Sequence, residues 1–150
     1  MNTNYNLQCL KKFCEEEELG SASQCDLCKE TTRRTLKTDV VYLPNYVIFH
    51  LKRFSGFEMD KITNFIDFPM ETNLVEMMRN LVNIETQNIA TEMKYKLVAI
   101  TNHSGTLHHD TAFCRLDSLW YNFDDNKVTR ISEKSIKTND AYILFYERMI

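Results

Sequence analysis

Leu7, Leu10, Phe13 and Cys14 recur at helical spacing near the start of the chain, and the acidic run Glu15 to Glu18 follows them. This predicts a short amphipathic helix that carries on to Leu19, where Gly20 can take the left-handed conformation that closes a helix. The acidic run reads as a solvated face of that helix. Gly20 to Lys29 is polar and predicts a loop, and Thr31 to Val41, loosely alternating and rich in threonine, predicts a strand. Leu43-Pro44-Asn45 interrupts the pattern. Tyr46 to Phe54 then forms the dense run YVIFHLKRF, whose β-branched and aromatic content predicts a strand buried over most of its length.

Ser55 to Asn64 is a polar stretch and predicts a loop, followed by a short strand over Phe65 to Phe68 that Pro69 stops. Asn73 to Val82 reads as a helix with Thr72 or Asn73 as its cap. Asn83 to Glu92 lacks periodicity and predicts a surface loop. From Tyr95 onward the chain is a succession of runs, YKLVAITNH, DTAFCRL, LWYNFDD, KVTRI and AYILFYERM, separated by short polar turns. Helices grouped early and an antiparallel meander late make the expected class α+β.

Composition narrows this picture. With 150 residues, 43% of them hydrophobic, one domain with a sizeable core is expected, and 3 glycines with 2 prolines leave no room for a long flexible linker. No apolar run approaches the length of about 18 residues that a membrane span needs. Met1 to Asn6 carries no basic-then-apolar signal, so the expected compartment is reducing, cytosol or nucleus. The net charge of -3 comes without a basic face, which disfavours nucleic acid as a partner. Oligomeric state leaves no mark in the pattern.

Two groups of polar residues ask for a chemical reading. Cys25 and Cys28 form a CxxC in the loop, spaced so that two thiolates can grip two corners of a tetrahedral zinc. Cys9 and Cys14 are the upstream thiols that could complete four ligands, although both fall on or near the apolar stripe, where a buried free thiol is the ordinary outcome. A redox CxxC needs a preceding strand and a helix N-terminus, neither of which the pattern offers. Among the histidines, His50 inside the apolar run reads as a hydrogen-bonded core residue. His103, His108 and His109 crowd a turn between two expected strands, and a further strand ends in Asp124-Asp125. An acid at a strand end beside an imidazole can orient that imidazole as a general base.

Taken in order, these segments resemble the ubiquitin-specific protease family, a papain-like group of cysteine proteases. The resemblance runs over roughly Leu7 to Arg148 and is carried by LQCLKKFCEEEELGSASQCDLC, LPNYVIFHLKRF, Lys61-Ile62 with Phe68-Pro69, YKLVAITNHSG, HHDTAF, WYNFDDNKV and AYILFY. It implies a palm over residues 43–150 and part of the fingers, with half a zinc site, over residues 7–42. The implied reaction is hydrolysis of the peptide or isopeptide bond after the C-terminal glycine of ubiquitin. Position by position, His109 falls on the family's proton-carrying histidine, Asp124 on the acid that orients it and Asp125 on a supporting acid. His103, Gly105 and His108 fall near the ubiquitin tail, and Cys25 with Cys28 on the second zinc CxxC.

Three departures accompany the resemblance. The family's nucleophile sits in an upstream box of the form GNTCY, and none of the five cysteines has that context. The first zinc CxxC of the family is also upstream. The family's Gly-His-Tyr is here His108-His109-Asp110, which adds a side chain near the tail and a carboxylate expected to raise the pKa of the imidazole. The expectation is therefore a C-terminal piece of the catalytic domain with no proteolysis of its own. A catalytically inactive ubiquitin-binding module and a remnant with exposed apolar surface are the alternatives.

Overall fold

The computed structural model describes residues 5–40, 42–55, 60–79, 93–104 and 109–150. The N-terminal helix, α1, covers Tyr5–Cys14 and ends there, short of the expected Leu19. Past Cys14 the chain offers no further apolar residue at helical spacing. Glu17–Gln24 instead forms β1, paired antiparallel with β2 (Thr31–Leu36) in a two-stranded ribbon. The acidic run is exposed as expected, but Glu17 and Glu18 lie on a strand, where Glu18 faces Arg33 across the ribbon at 3.8 Å. Gly20 is no helix cap. It lies inside β1, where the register shifts between Leu19 and Ser23. The threonine-rich strand is also shorter than expected, ending at Leu36 rather than Val41.

β3 (Tyr46–His50) is the next correction. It stops four residues before Phe54, and its exposure alternates, because Val47 and Phe49 face the core while Tyr46, Ile48 and His50 point to the other face. Among the described residues its one partner is the strand Ala141–Arg148. His50 is thus exposed, its ring edge-on to Tyr142 with centroids 4.7 Å apart, and not a core residue. After a turn inward at Leu51 to Arg53, β4 (Phe54–Ser55) and β5 (Asp60–Lys61) pair as a small hairpin. Phe65 to Phe68 is not a strand. Among the described residues it finds no ladder partner, though Phe68 is fully buried. β6 (Glu71–Asn73) leads into α2 (Leu74–Arg79), where the side-chain oxygen of Asn73 accepts from the Glu76 N–H at 3.4 Å, the capping role expected of it. The expected end of this helix at Val82 and the Asn83–Glu92 loop lie outside the described residues.

The late meander is present as read. β7 (Lys94–Ser104), β8 (His109–Leu116), β9 (Leu119–Asp124), β10 (Lys127–Ile131) and β11 (Ala141–Arg148) join β3 in one antiparallel sheet of order β10-β9-β8-β7-β11-β3, with β6 pairing the start of β7. β11 does not continue the meander at its edge. It returns between β7 and β3, which makes it a central strand and explains its apolar run AYILFY. One face of the sheet packs Leu97, Ile100, Trp120, Leu144 and Tyr146 against Phe68, Leu74 and Ile136, and this is the core. Tyr146 keeps its hydroxyl satisfied by donating to the Pro69 carbonyl at 2.7 Å. Strand and helix together, with the strands dominant, give the expected α+β class.

Candidate active site

β8 and β9 are joined by a tight hairpin and aligned so that Ala112 faces Phe123. That register places Thr111 beside Asp124, with His109 two residues earlier on the same face of the sheet. The result is a direct contact: His109 Nε2 and Asp124 Oδ1 are 2.7 Å apart. The turn after Asp124 is made by Asp125 and Asn126, with Asp125 at φ 50, a left-handed conformation that Asp and Asn tolerate better than most residues. It folds the Asp125 carboxylate back, so that one donor atom each of His109, Asp124 and Asp125 lie within 4.8 Å of one another. Both members of the His–Asp pair are about 40% exposed, at 42% and 43% for their side chains, open to an incoming group.

The Asp124 hydrogen bond is the largest influence on His109 and raises its pKa above the ordinary imidazole value. Partial burial opposes this, and the charges of Asp124, Asp125 and Asp110 add to it. The expectation that Asp110 raises the His109 pKa thus holds in sign, but Asp110 is the least of these influences. The reason is its direction. Adjacent residues of a strand point to opposite faces, and the Asp110 carboxylate lies instead against His103 Nδ1 at 2.7 Å, across the β7–β8 pair.

The structure thus gathers His109, Asp124 and Asp125 and places His103 elsewhere. His103 is buried on the other face, its ring 5.3 Å from Phe54 and 5.6 Å from Tyr142. Gly105 and His108 lie outside the described residues. Two residues that the sequence did not single out stand behind this region. Arg53 is buried and donates to the carbonyls of Ala141, Ile62 and Asn64 at 2.6, 2.8 and 2.9 Å. Lys61 donates to the His103 carbonyl and to Asp140 Oδ1, the latter at 2.6 Å. A cation within the apolar run YVIFHLKRF was the available signal for Arg53, since a charge in such a run is either at its edge or paired inside.

A model of the family described as ubiquitin carboxyl-terminal hydrolase matches residues 7–146 of this chain. The chain belongs to that family. It is 38% identical over 149 residues to ubiquitin carboxyl-terminal hydrolase 9 of Arabidopsis thaliana, covering 94% of this chain and 16% of that protein. It is 35% identical over 150 residues to ubiquitin carboxyl-terminal hydrolase 2 of Gallus gallus, covering 94% of this chain and 40% of that one. Among solved structures it superposes on a chain of the yeast SAGA DUBm with TM-score 0.75 and 29% identity, covering 95% of this chain and 32% of the other. A chain of the SAGA DUB module bound to ubiquitin aldehyde superposes with TM-score 0.68 and 27% identity, over 95% and 33%. The chain therefore spans less than half the length of these relatives. Its fold is that of the C-terminal part of the ubiquitin-specific protease domain.

Cys114, the cysteine nearest His109 in sequence, is not aimed at it. Cys114 lies five residues along β8 and so on the opposite face, partly buried, with burial pushing its thiol pKa up. Cys14 is buried and its pKa is raised in the same way, while Cys9 lies exposed on α1. Cys25 and Cys28 sit at the tip of the β1–β2 ribbon, on a turn closed by the Lys29 N–H donating to the Cys25 carbonyl at 2.8 Å. The N–H groups of Cys28 and Leu27 donate to the Cys25 sulfur and lower its pKa, with the Cys28 thiol adding to this. Such a turn suits a metal-bound thiolate. Among the described residues, no third His, Cys, Asp or Glu donor joins these two, so Cys9 and Cys14 do not complete a four-cysteine site.

Proposed function

We propose that this chain supplies the general-base half of a thiol-dependent deubiquitinase. The 2.7 Å contact between His109 and Asp124 carries the reading. With Nε2 engaged by the carboxylate, Nδ1 of His109 is left to face a nucleophile, and the carboxylate favours the imidazolium that forms when a thiol gives up its proton. A thiolate would attack the carbonyl at the C-terminal glycine of ubiquitin, His109 would pass its proton to the leaving amine, and water would then release the acyl group with His109 as base. None of the five cysteines has the family's GNTCY context, so in this reading the thiol is supplied from outside these 150 residues, and the chain by itself binds ubiquitin without hydrolysing it. Cys25 and Cys28 fit half of a structural zinc site, two further ligands being needed from outside these residues, and zinc there would stiffen the ribbon tip. A cytosolic or nuclear setting is consistent with the free thiols.

The test is a chimera in which the portion of the Gallus gallus relative that precedes the matched region is fused to residues 1–150. Turnover of a fluorogenic ubiquitin amide should appear in the chimera, be absent from the chain alone, and be lost in His109→Ala. A chimera that folds and binds ubiquitin yet hydrolyses nothing would leave the inactive ubiquitin-binding module as the better reading.

A further inference from the structure

The chemistry assigned to His109 and Asp124 makes no use of the two cations drawn inside the fold beside His103. Arg53 has a packing reason, since it satisfies three carbonyls where β3 leaves the sheet. Lys61 is different. Its side chain is only 9% exposed, and its partners are the carbonyl of His103, at the end of β7, and the carboxylate of Asp140, just before β11. An ammonium taken this far out of water is kept there only by close, well-formed partners. We propose that Lys61 is a positioning residue for the candidate active site, bolting the end of β7 to the start of β11 and so setting where His109 stands.

The connection can be followed atom by atom. The His103 N–H donates to the Asp140 carbonyl at 2.9 Å, and Lys61 bridges the same two residues through the other's carbonyl and carboxylate. His103 is thereby fixed on its backbone, while its ring is held by Asp110 at 2.7 Å. Asp110 and His109 are consecutive on β8 and pair with His103 and Ser104 of β7. The Ser104 hydroxyl closes the last pair by donating to the His109 carbonyl at 3.0 Å. Asp124, by contrast, is set by β9 and the turn that follows. The His109–Asp124 contact thus depends on the start of β8, held by β7 on one side and by the β8–β9 hairpin on the other, and Lys61 anchors the β7 side. A lysine suits the task because its compact ammonium has three donors that can be shared between a carbonyl and a carboxylate at different angles.

In its functional meaning this inference rests on His109 being the base of the proposed reaction, but its test does not. The measurement is the titration of the His109 imidazole by NMR in the full 150-residue chain, assigned with His109→Gln. The groups facing it are Asp124, Asp125 and, more weakly, Asp110. In Lys61→Met the titration midpoint should fall toward that of Asp124→Asn, and Lys61→Arg should restore part of the difference. Ubiquitin affinity of the chain should weaken by about tenfold in Lys61→Met, a loss of about 1.4 kcal/mol. A folded Lys61→Met whose melting temperature drops while the His109 midpoint stays put would overturn the proposal and leave Lys61 as packing alone. Should Lys61→Met not fold, Asp140→Asn, at a half-exposed carboxylate, decides by the same midpoint. Absence of any ubiquitin binding by the unsubstituted chain removes the binding-module reading, absence of turnover in the chimera removes the deubiquitinase reading, and the titration still decides Lys61.

Discussion

Arg53→Met isolates what a buried cation contributes to this fold. The substitution keeps an unbranched apolar stem and removes the guanidinium, which is 1% exposed and donates to the carbonyls of Ala141, Ile62 and Asn64. Three carbonyls would lose their donor, at about 1–3 kcal/mol each where water cannot replace it. Against this, the variant no longer has to hold a charge out of water. Burial already lowers the Arg53 pKa, a sign that the environment resists the charge. The sum is expected at its low end, about 3 kcal/mol, because Ile62 and Asn64 are exposed residues and the charge no longer has to be held out of water. For a chain of this size about 3 kcal/mol corresponds to a fall in melting temperature of about 10 °C. Arg53→Lys should recover little, since an ammonium cannot span three carbonyls in the plane of the fork. Thermal melts followed by circular dichroism, with a urea titration to check that the slope is unchanged, read both variants. An Arg53→Met protein melting within about 2 °C of the unsubstituted chain would refute the reasoning, because the three bonds would then be worth no more than the charge costs.

Asp124→Asn should lower the His109 titration midpoint, as both the hydrogen bond and the charge that raise it are removed. Because the folded pKa of His109 is raised, its contribution to stability is present in full below the unfolded value, about 6.5, and is lost as pH rises through the folded value. The melting-temperature gap between the unsubstituted chain and Asp124→Asn should accordingly narrow as the pH rises above about 6.5, and a gap that widens there contradicts the assignment. At the ribbon tip, zinc titration monitored with a cobalt substitute should show weak two-thiolate binding that Cys25→Ser abolishes. Tight tetrahedral four-thiolate absorption from the chain alone would show that other cysteines reach Cys25 and Cys28.

The pair was legible through the family resemblance, and the strand pattern supported it only by placing an imidazole and an acid at neighbouring strand ends. A run ending in WYNFDD puts its acids at a strand end whatever sheet it joins, and HHDTAF begins the strand next to it, so a tight hairpin between them brings His109 toward Asp124. The α2 cap at Asn73 and the shape of the meander were readable because they are local in the pattern. The misreadings share an opposite cause. Nothing within Glu15 to Gln24 distinguishes a helix with a solvated face from one strand of an exposed ribbon, since the choice depends on Thr31–Leu36 lying alongside. YVIFHLKRF looked buried throughout because its composition is that of a central strand.

The sequence by itself determined the α+β class and the succession of late strands from periodicity, and through its likeness to the family it pointed to His109 and Asp124 as a pair. The tertiary structure alone decided that β11 returns between β7 and β3, and that His50 lies on the outer face of β3. It also decided that Asp110 turns its charge onto His103 and away from His109, and that Lys61 reaches Asp140, 79 residues later, to hold the end of β7. The physical reason is common to all three. Which face a side chain takes, and which distant backbone it meets, is fixed by strand pairing, and pairing is a relation between segments that no single segment carries.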